Sequence, residues 1–183
     1  HMAKQFLGGI LGTMNGENPY KGQNVQFGTG LSFLDVTEKH WSDLILAPGV
    51  REEVVAHSVG FLQQTEALAK YGVAPRRGIL LTGRPGSGKT LICKVLMNAS
   101  PGITCIAAHS SGLVHPRYIE ELYEFARDCS PSIVFLEDID LIGQGRQESG
   151  YSRGEALAQL LFELDGLEDC RNVVTIATTN WLD

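Results

Sequence analysis

The run Ile79-Leu80-Leu81-Thr82-Gly83-Arg84-Pro85-Gly86-Ser87-Gly88-Lys89-Thr90-Leu91-Ile92 decides how the rest of this sequence is read. From Gly83 to Thr90 it fits G-x-x-x-x-G-K-[ST] at every position, with an apolar strand predicted before it and a helix after it. Glycines let successive backbone N–H groups turn inward around a phosphate, and the helix N-terminus adds the positive end of its dipole. In such a loop Lys89 reaches the β and γ phosphates of a nucleotide and the Thr90 hydroxyl ligates Mg²⁺. Pro85, Gly86, Ser87, Gly88 and Leu91 complete the cradle. The competing reading is an ordinary Gly-rich turn, and the Lys-Thr pair with the right flanks argues against it.

Outward from this loop the pattern alternates. Ile79 to Leu81 reads as a strand, Lys89 to Ala99 as a helix, Ile103 to Ala107 as a strand and Arg117 to Asp128 as a helix. Ile133 to Leu136 then reads as a strand, Glu155 to Leu164 as a helix and Val173 to Ala177 as a strand. Strands without a polar face, alternating with helices, predict a mainly parallel sheet covered on both sides, an α/β three-layer αβα sandwich. Val50 to Tyr71 keeps apolar residues at helical spacing and predicts one helix ending at Gly72. Residues 1–35 open with His1-Met2, read as the remnant of a tag, and continue as a Gly-, Asn- and Gln-rich stretch that is flexible or a small hairpin.

The second site begins where Ser132-Ile133-Val134-Phe135-Leu136 runs into Glu137-Asp138-Ile139-Asp140. An apolar strand ending in adjacent acids places carboxylates at the C-terminal edge of a parallel sheet, where such sheets bind ligands. One carboxylate is expected to hold Mg²⁺ and the next to orient or deprotonate the attacking water. A solvated acidic turn is the bland alternative, and the phosphate loop upstream disfavours it.

These stretches, together with Leu164-Asp165-Gly166 and the strand Val173 to Ala177 leading into Thr178-Thr179-Asn180, resemble the AAA ATPases over about residues 41 to 183. The resemblance implies ATP with Mg²⁺ as cofactors, the P-loop NTPase fold and ATP hydrolysis. It implies sensor 1 at Asn180, contacting the γ phosphate or the lytic water, and adenine contacts from Asp43, Leu44, Ile45 and Leu46, with Tyr71-Gly72 nearby. Packing of the segment before the first helix is the alternative for Asp43 to Leu46. The family order of acids is Asp then Glu, whereas here Glu137 precedes Asp138. Position for position, Glu137 takes the metal role with Thr90, and Asp138 becomes the base, shorter than glutamate by one methylene or about 1.5 Å. A misplacement of about 1 Å can cost 10²-fold in rate, so slow hydrolysis is one expected outcome.

By the same resemblance, residues 36–183 form the large nucleotide-binding subdomain, stopping before the arginine fingers and the C-terminal helical subdomain. Loss of fingers removes a contribution of about 10³ to 10⁵ in rate in related NTPases, so the chain is expected to bind nucleotide better than it turns it over. Arg146 and Arg153 suit a solvated or pore-facing loop better than fingers. The loop His109-Ser110-Ser111-Gly112-Leu113-Val114-His115-Pro116 lacks the aromatic that polypeptide-threading members carry; Leu113 and Val114 are left as an apolar tip or as packing. His109 and His115 read as surface residues rather than ligands.

Bulk properties narrow the function classes. Fifteen Lys and Arg against 21 Asp and Glu give a net charge of -6, which disfavours nucleic acid as the chief partner. Cys93, Cys105, Cys129 and Cys170 lack metal-site or disulfide spacing and point to a reducing, cytoplasmic setting. No apolar run approaches the roughly 18 to 20 residues that span a bilayer. The reading is an ATP-binding and ATP-hydrolysing core of a ring-forming, protein-remodelling homo-oligomer, a hexamer by resemblance, with an unnamed protein client. A DNA-linked switch of the same superfamily, a nucleotide-binding assembly module without hydrolysis, and a P-loop kinase are the alternatives.

Overall fold

The structure is a computed structural model, and it describes residues 18–109, 113, 115–142, 153–165 and 172–181. Six strands make one sheet: β1 (Asn24–Phe27), β2 (Leu31–Phe33), β3 (Arg76–Thr82), β4 (Thr104–His109), β5 (Ser132–Glu137) and β6 (Val173–Thr179). Their spatial order is β2-β1-β4-β5-β6-β3. All neighbours run parallel except β1 and β2, which form an antiparallel hairpin. Parallel strands need long crossovers, and three helices accompany them: α4 (Lys89–Asn98) between β3 and β4, α5 (Pro116–Asp128) between β4 and β5, and α6 (Arg153–Asp165) between β5 and β6.

Alternation along the central strands sorts side chains into two cores. Ile133 and Phe135 of β5, with Cys105 and Ala107 of β4, pack with Ile92, Leu96 and Met97 of α4. Val134 and Leu136, with Ile106 and Ala108, pack with Ile119, Leu122 and Phe125 of α5 and Leu160 of α6. Both faces of β4 and β5 are therefore dry, which is why the sequence shows continuous apolar runs rather than alternation. The α/β sandwich expected from the strand-helix pattern is the observed fold.

Two elements differ from the local reading or sharpen it. The helix expected over residues 50–71 is three short ones: α1 (Val50–His57), α2 (Val59–Gln63) and α3 (Thr65–Ala69). The break comes at Ser58, fully buried, whose backbone leaves helical geometry at φ -112°, ψ -90°. Its hydroxyl donates to Val54 O, competing for a carbonyl of the preceding turn. Within residues 18–35, the hairpin form is the one observed, and it extends the sheet beyond β4. Tyr20, Val25 and Phe27 are buried, and Tyr20 meets Phe125 edge-on at 5.7 Å between centroids while stacking on Phe33 at 5.3 Å.

Candidate nucleotide site

The phosphate loop leaves the C-terminal end of β3 and feeds α4. Gly86 and Gly88 sit at φ 78° and 93°, a region that side chains with a Cβ rarely adopt. Gly83 is crowded instead: a Cβ there would lie 2.7 Å from Ser87 Oγ. Gly88 is the N-cap of α4 and no side chain caps that helix, so the first-turn N–H groups face the loop without an internal acceptor. Open donors at the positive end of a ten-residue helix fit a phosphate. Thr90 stands in the first turn with its side chain exposed, and Leu91 is half-buried behind it.

Lys89 is 9% exposed, and its ammonium donates to Gly83 O at 2.6 Å, Arg84 O at 3.1 Å and Asn180 Oδ1 at 3.0 Å. Asn180 follows β6, and its Nδ2 donates to Asp138 Oδ1 at 3.2 Å. The other Asp138 oxygen faces His109 Nε2 at 3.7 Å. Lys89, Asn180 and Asp138, from three separate segments, thus form one continuous polar chain at the C-terminal edge of the sheet. Glu137 ends β5 beside them, half-buried, and its charge adds to the burial that pushes the Cys93 thiol up to about 12. Thr90 and Glu137 supply hydroxyl and carboxylate oxygens, the hard donors that Mg²⁺ prefers.

Asp138 holds a left-handed backbone at φ 54°, uncommon for a residue other than glycine. Its N–H donates to Thr178 Oγ1 at 3.0 Å, which ties the turn after β5 to the end of β6. Asp140 does the same from the other side, its Oδ1 accepting from Thr179 Oγ1 at 3.0 Å and from Asn180 N at 3.4 Å. Thr178, Thr179 and Asp140 are supports that sequence reasoning passed over. The Thr-Thr pair closing an apolar strand was the available signal, since hydroxyls on a buried strand end need partners.

Other expected residues are placed as follows. Leu44 reaches the loop, its Cδ2 lying 3.4 Å from where a Gly88 Cβ would stand. Leu46 packs partly against the α4-side core, Asp43 accepts a hydrogen bond from His40 N at 2.8 Å, and Ile45 is fully exposed. Tyr71 is exposed. Leu113 is buried in the α5-side core, so packing and not an apolar tip describes it. His115 caps α5, accepting from Arg117 N at 3.2 Å, while His109 is exposed, as expected of a surface residue, and also faces Asp138. Arg153 opens α6; Val114, Arg146, Gly166 and Cys170 lie outside the described residues. Among the described residues no group of three or more His, Cys, Asp and Glu could hold a metal ion by itself.

Residues 79–183 match the model of the ATPase family associated with various cellular activities (AAA). The chain is 34% identical, over 98% of its length, to the ATP-dependent zinc metalloprotease FtsH of Leptotrichia buccalis, and spans 24% of that protein. It is 38% identical over 67% of its length to the proteasome-activating nucleotidase of Methanopyrus kandleri, and 33% over 81% to the ATPase family gene 2 protein of Saccharomyces cerevisiae. It spans 30% and 20% of those two relatives. A family match running from β3 through β6, joined to a relative 34% identical over 98% of the sequence, shows that the chain belongs to the AAA ATPase family as a nucleotide-binding ATPase core.

Proposed function

We propose that this chain binds and hydrolyses ATP with Mg²⁺ as the core of a ring-forming, protein-remodelling ATPase, a homo-oligomer and by resemblance a hexamer. The observation that carries the reading is the convergence of Lys89, Asn180 and Asp138 within hydrogen-bond distance of one another at the mouth of the phosphate loop. In this reading the α4 N-terminus and Lys89 hold the phosphates. Thr90 and Glu137 hold the metal, which when bound neutralises charge on the phosphates. Asp138 accepts the proton of the attacking water, and Asn180 positions that water or the γ phosphate. Leu44 and Leu46, with Asp43 and Ile45 beside them, lie on the segment that would meet the base.

A protein client is supported by the names of two relatives, one a metalloprotease and one a proteasome activator. An assembly is supported by Leu157, Leu161 and Phe162, which stand exposed on α6. A reducing cytoplasmic setting is supported by Cys93, Cys105 and Cys129, all free and buried. No helix among the described residues is long and apolar enough to cross a membrane. Turnover by the isolated chain is expected to be slow, since Asp138 is a short base and the fingers of a neighbour are part of the reading.

Calorimetric titration of ATP-Mg²⁺ into this chain and its Lys89→Ala variant is the direct test. The variant should bind about tenfold to a hundredfold more weakly, the loss expected for charge-assisted bonds to phosphate. Equal binding by both proteins sinks the assignment of the loop. In the assembled protein, Asp138→Asn should keep ATP binding and lose about 10²- to 10⁴-fold in turnover. Retained turnover would remove Asp138 from the role of base.

A further inference from the structure

We propose that two copies of this chain join through their β3 strands, paired antiparallel about a two-fold axis at Ile79, so that two six-stranded sheets become one. The inference does not depend on the nucleotide reading, and it names a closed pairwise contact rather than the repeating contact of a ring.

The two ends of the sheet are built differently. β2 closes one end with only three residues, Leu31–Phe33, and so short an edge offers little to pair with. β3 closes the other with seven, Arg76–Thr82, and among the described residues no strand lies beyond it. Its register with β6 is continuous, without a bulge, and the strand holds neither proline nor lysine. The usual devices that keep an edge from pairing are missing here.

The side chains of β3 add a knob and a hole. Val173, in the α5-side core, pairs with Arg76, so Arg76, Gly78, Leu80 and Thr82 share that face, while Ile79 and Leu81 turn to the α4 side. Leu80 stands 55% exposed. Gly78, two residues before it, has nothing within 4 Å of where a Cβ would lie, and it borders a cavity of about 260 Å³ that Tyr123, Leu164 and Thr175 help to line. A glycine inside a strand marks a place where another backbone can approach closely.

One register uses all of these features. Pairing about Ile79, the middle residue of β3, sets Gly78 opposite the partner's Leu80 and Leu80 opposite the partner's Gly78. Each leucine then enters the space over the facing glycine. The same register sets Arg76 against Thr82 and Arg77 against Leu81, which keeps the two copies of Arg76 about 20 Å apart, beyond a Debye length at physiological salt. Centring on Arg77 would oppose that arginine to itself, and centring on Gly78 or Leu80 would oppose hole to hole or knob to knob. The axis stands perpendicular to the sheet, so equivalent faces become continuous. α6 contributes to that face: Leu157, Leu161 and Leu164 are exposed at helical spacing, and Leu164 on the cavity wall puts the stripe on the β3 side. Two such stripes flank the joined strands, an apolar surface that a subunit contact would cover.

The test is sedimentation equilibrium of this chain and its Leu80→Asp variant, with hydrogen exchange of β3 at low and high protein concentration. The mass should rise with concentration from 19.9 kDa toward twice that value. Exchange of β3 amides should slow in step, while staying faster than that of β5 because the dimer opens by dissociation. Leu80→Asp changes a side chain that is already exposed, and it should weaken association about thirtyfold, the size of a hot-spot loss. Cysteine cross-linking reads the register. Under mild oxidation a mixture of Gly78→Cys and Leu80→Cys chains should give a covalent dimer, since opposite residues lie within disulfide reach, whereas either variant alone should behave as the parent does. A mass of 19.9 kDa at every concentration overturns the inference, and protection of β3 in that monomer would mean that a segment of the same chain covers the edge. Dimers that Leu80→Asp leaves intact, or that fail to cross-link in the mixture, overturn it as well and place the contact on another surface.

Discussion

At the residue scale, burial decides chemistry more than residue type does. Cys93, Cys105 and Cys129 lack metal-site or disulfide spacing in the sequence, and burial pushes the first two up to about 12 and the third to about 11. Cys129 Sγ also accepts from Asn18 Nδ2 at 3.1 Å. The thiolate is the nucleophile, so these three should resist iodoacetamide at pH 8 in the folded chain and react only after unfolding, as peptide mass spectrometry would show. Rapid labelling of any of the three in the native state would contradict the placement. The same shifts carry a sign for stability. Between the ordinary thiol value of 9.0 and about 12 the folded state keeps the protons of Cys93 and Cys105 while the unfolded state loses them, so stability falls as pH rises through that window.

At the scale of elements, α5 was legible because Ile119, Leu122, Tyr123 and Ala126 recur at helical spacing against charged neighbours, and all four are buried. What the sequence could not show is the lock between α5 and α6. Arg127 Nη1 donates to Glu163 Oε2 at 2.9 Å, with the Glu163 side chain only 2% exposed, and Gln159 Nε2 donates to Glu163 Oε1 at 3.0 Å. Removing one partner of a buried ion pair strands the other charge, so Arg127→Ala should destabilise the chain by about 3 kcal/mol in urea unfolding with little change in slope. A midpoint equal to the parent's would mean that solvent reaches Glu163 freely. The broken helix of residues 50–69 was misread for a related reason. Apolar spacing continues through Ser58, and the competition of its hydroxyl for Val54 O becomes decisive only because packing buries it.

At the scale of the whole molecule, strand order predicts a gradient of protection. β4 and β5 are paired on both sides and buried on both faces, whereas β2 and β3 end the sheet order, with much of β3 exposed, Leu80 included. Amides of Thr104–His109 and Ser132–Glu137 should therefore exchange slowest with deuterium, near the global unfolding rate, and those of β3 faster. β3 exchanging as slowly as β5 would show that its edge is covered in solution. The sheet gathers the ends of β3, β4, β5 and β6 at one edge, which brings the phosphate loop, His109, Asp138 and Asn180 into one site.

The sequence by itself determined the fold class, the phosphate loop and the acid-tipped strand, because each is a local pattern: glycines at fixed spacing, an apolar run of strand length, a helix period. It also showed that Asn180 closes a buried strand. Only the tertiary structure decided that Lys89 and Asn180, 91 positions apart, share a hydrogen bond, and that Asp138, 42 positions before Asn180, completes the chain. It alone placed His109 against that carboxylate, gave Asp140 and the threonines their supporting role, and made strands of residues 24–27 and 31–33. The physical reason is one of range. Backbone preference and periodicity act over a few residues, while hydrogen-bond partners and edge pairing are chosen by the parallel register that long crossovers impose.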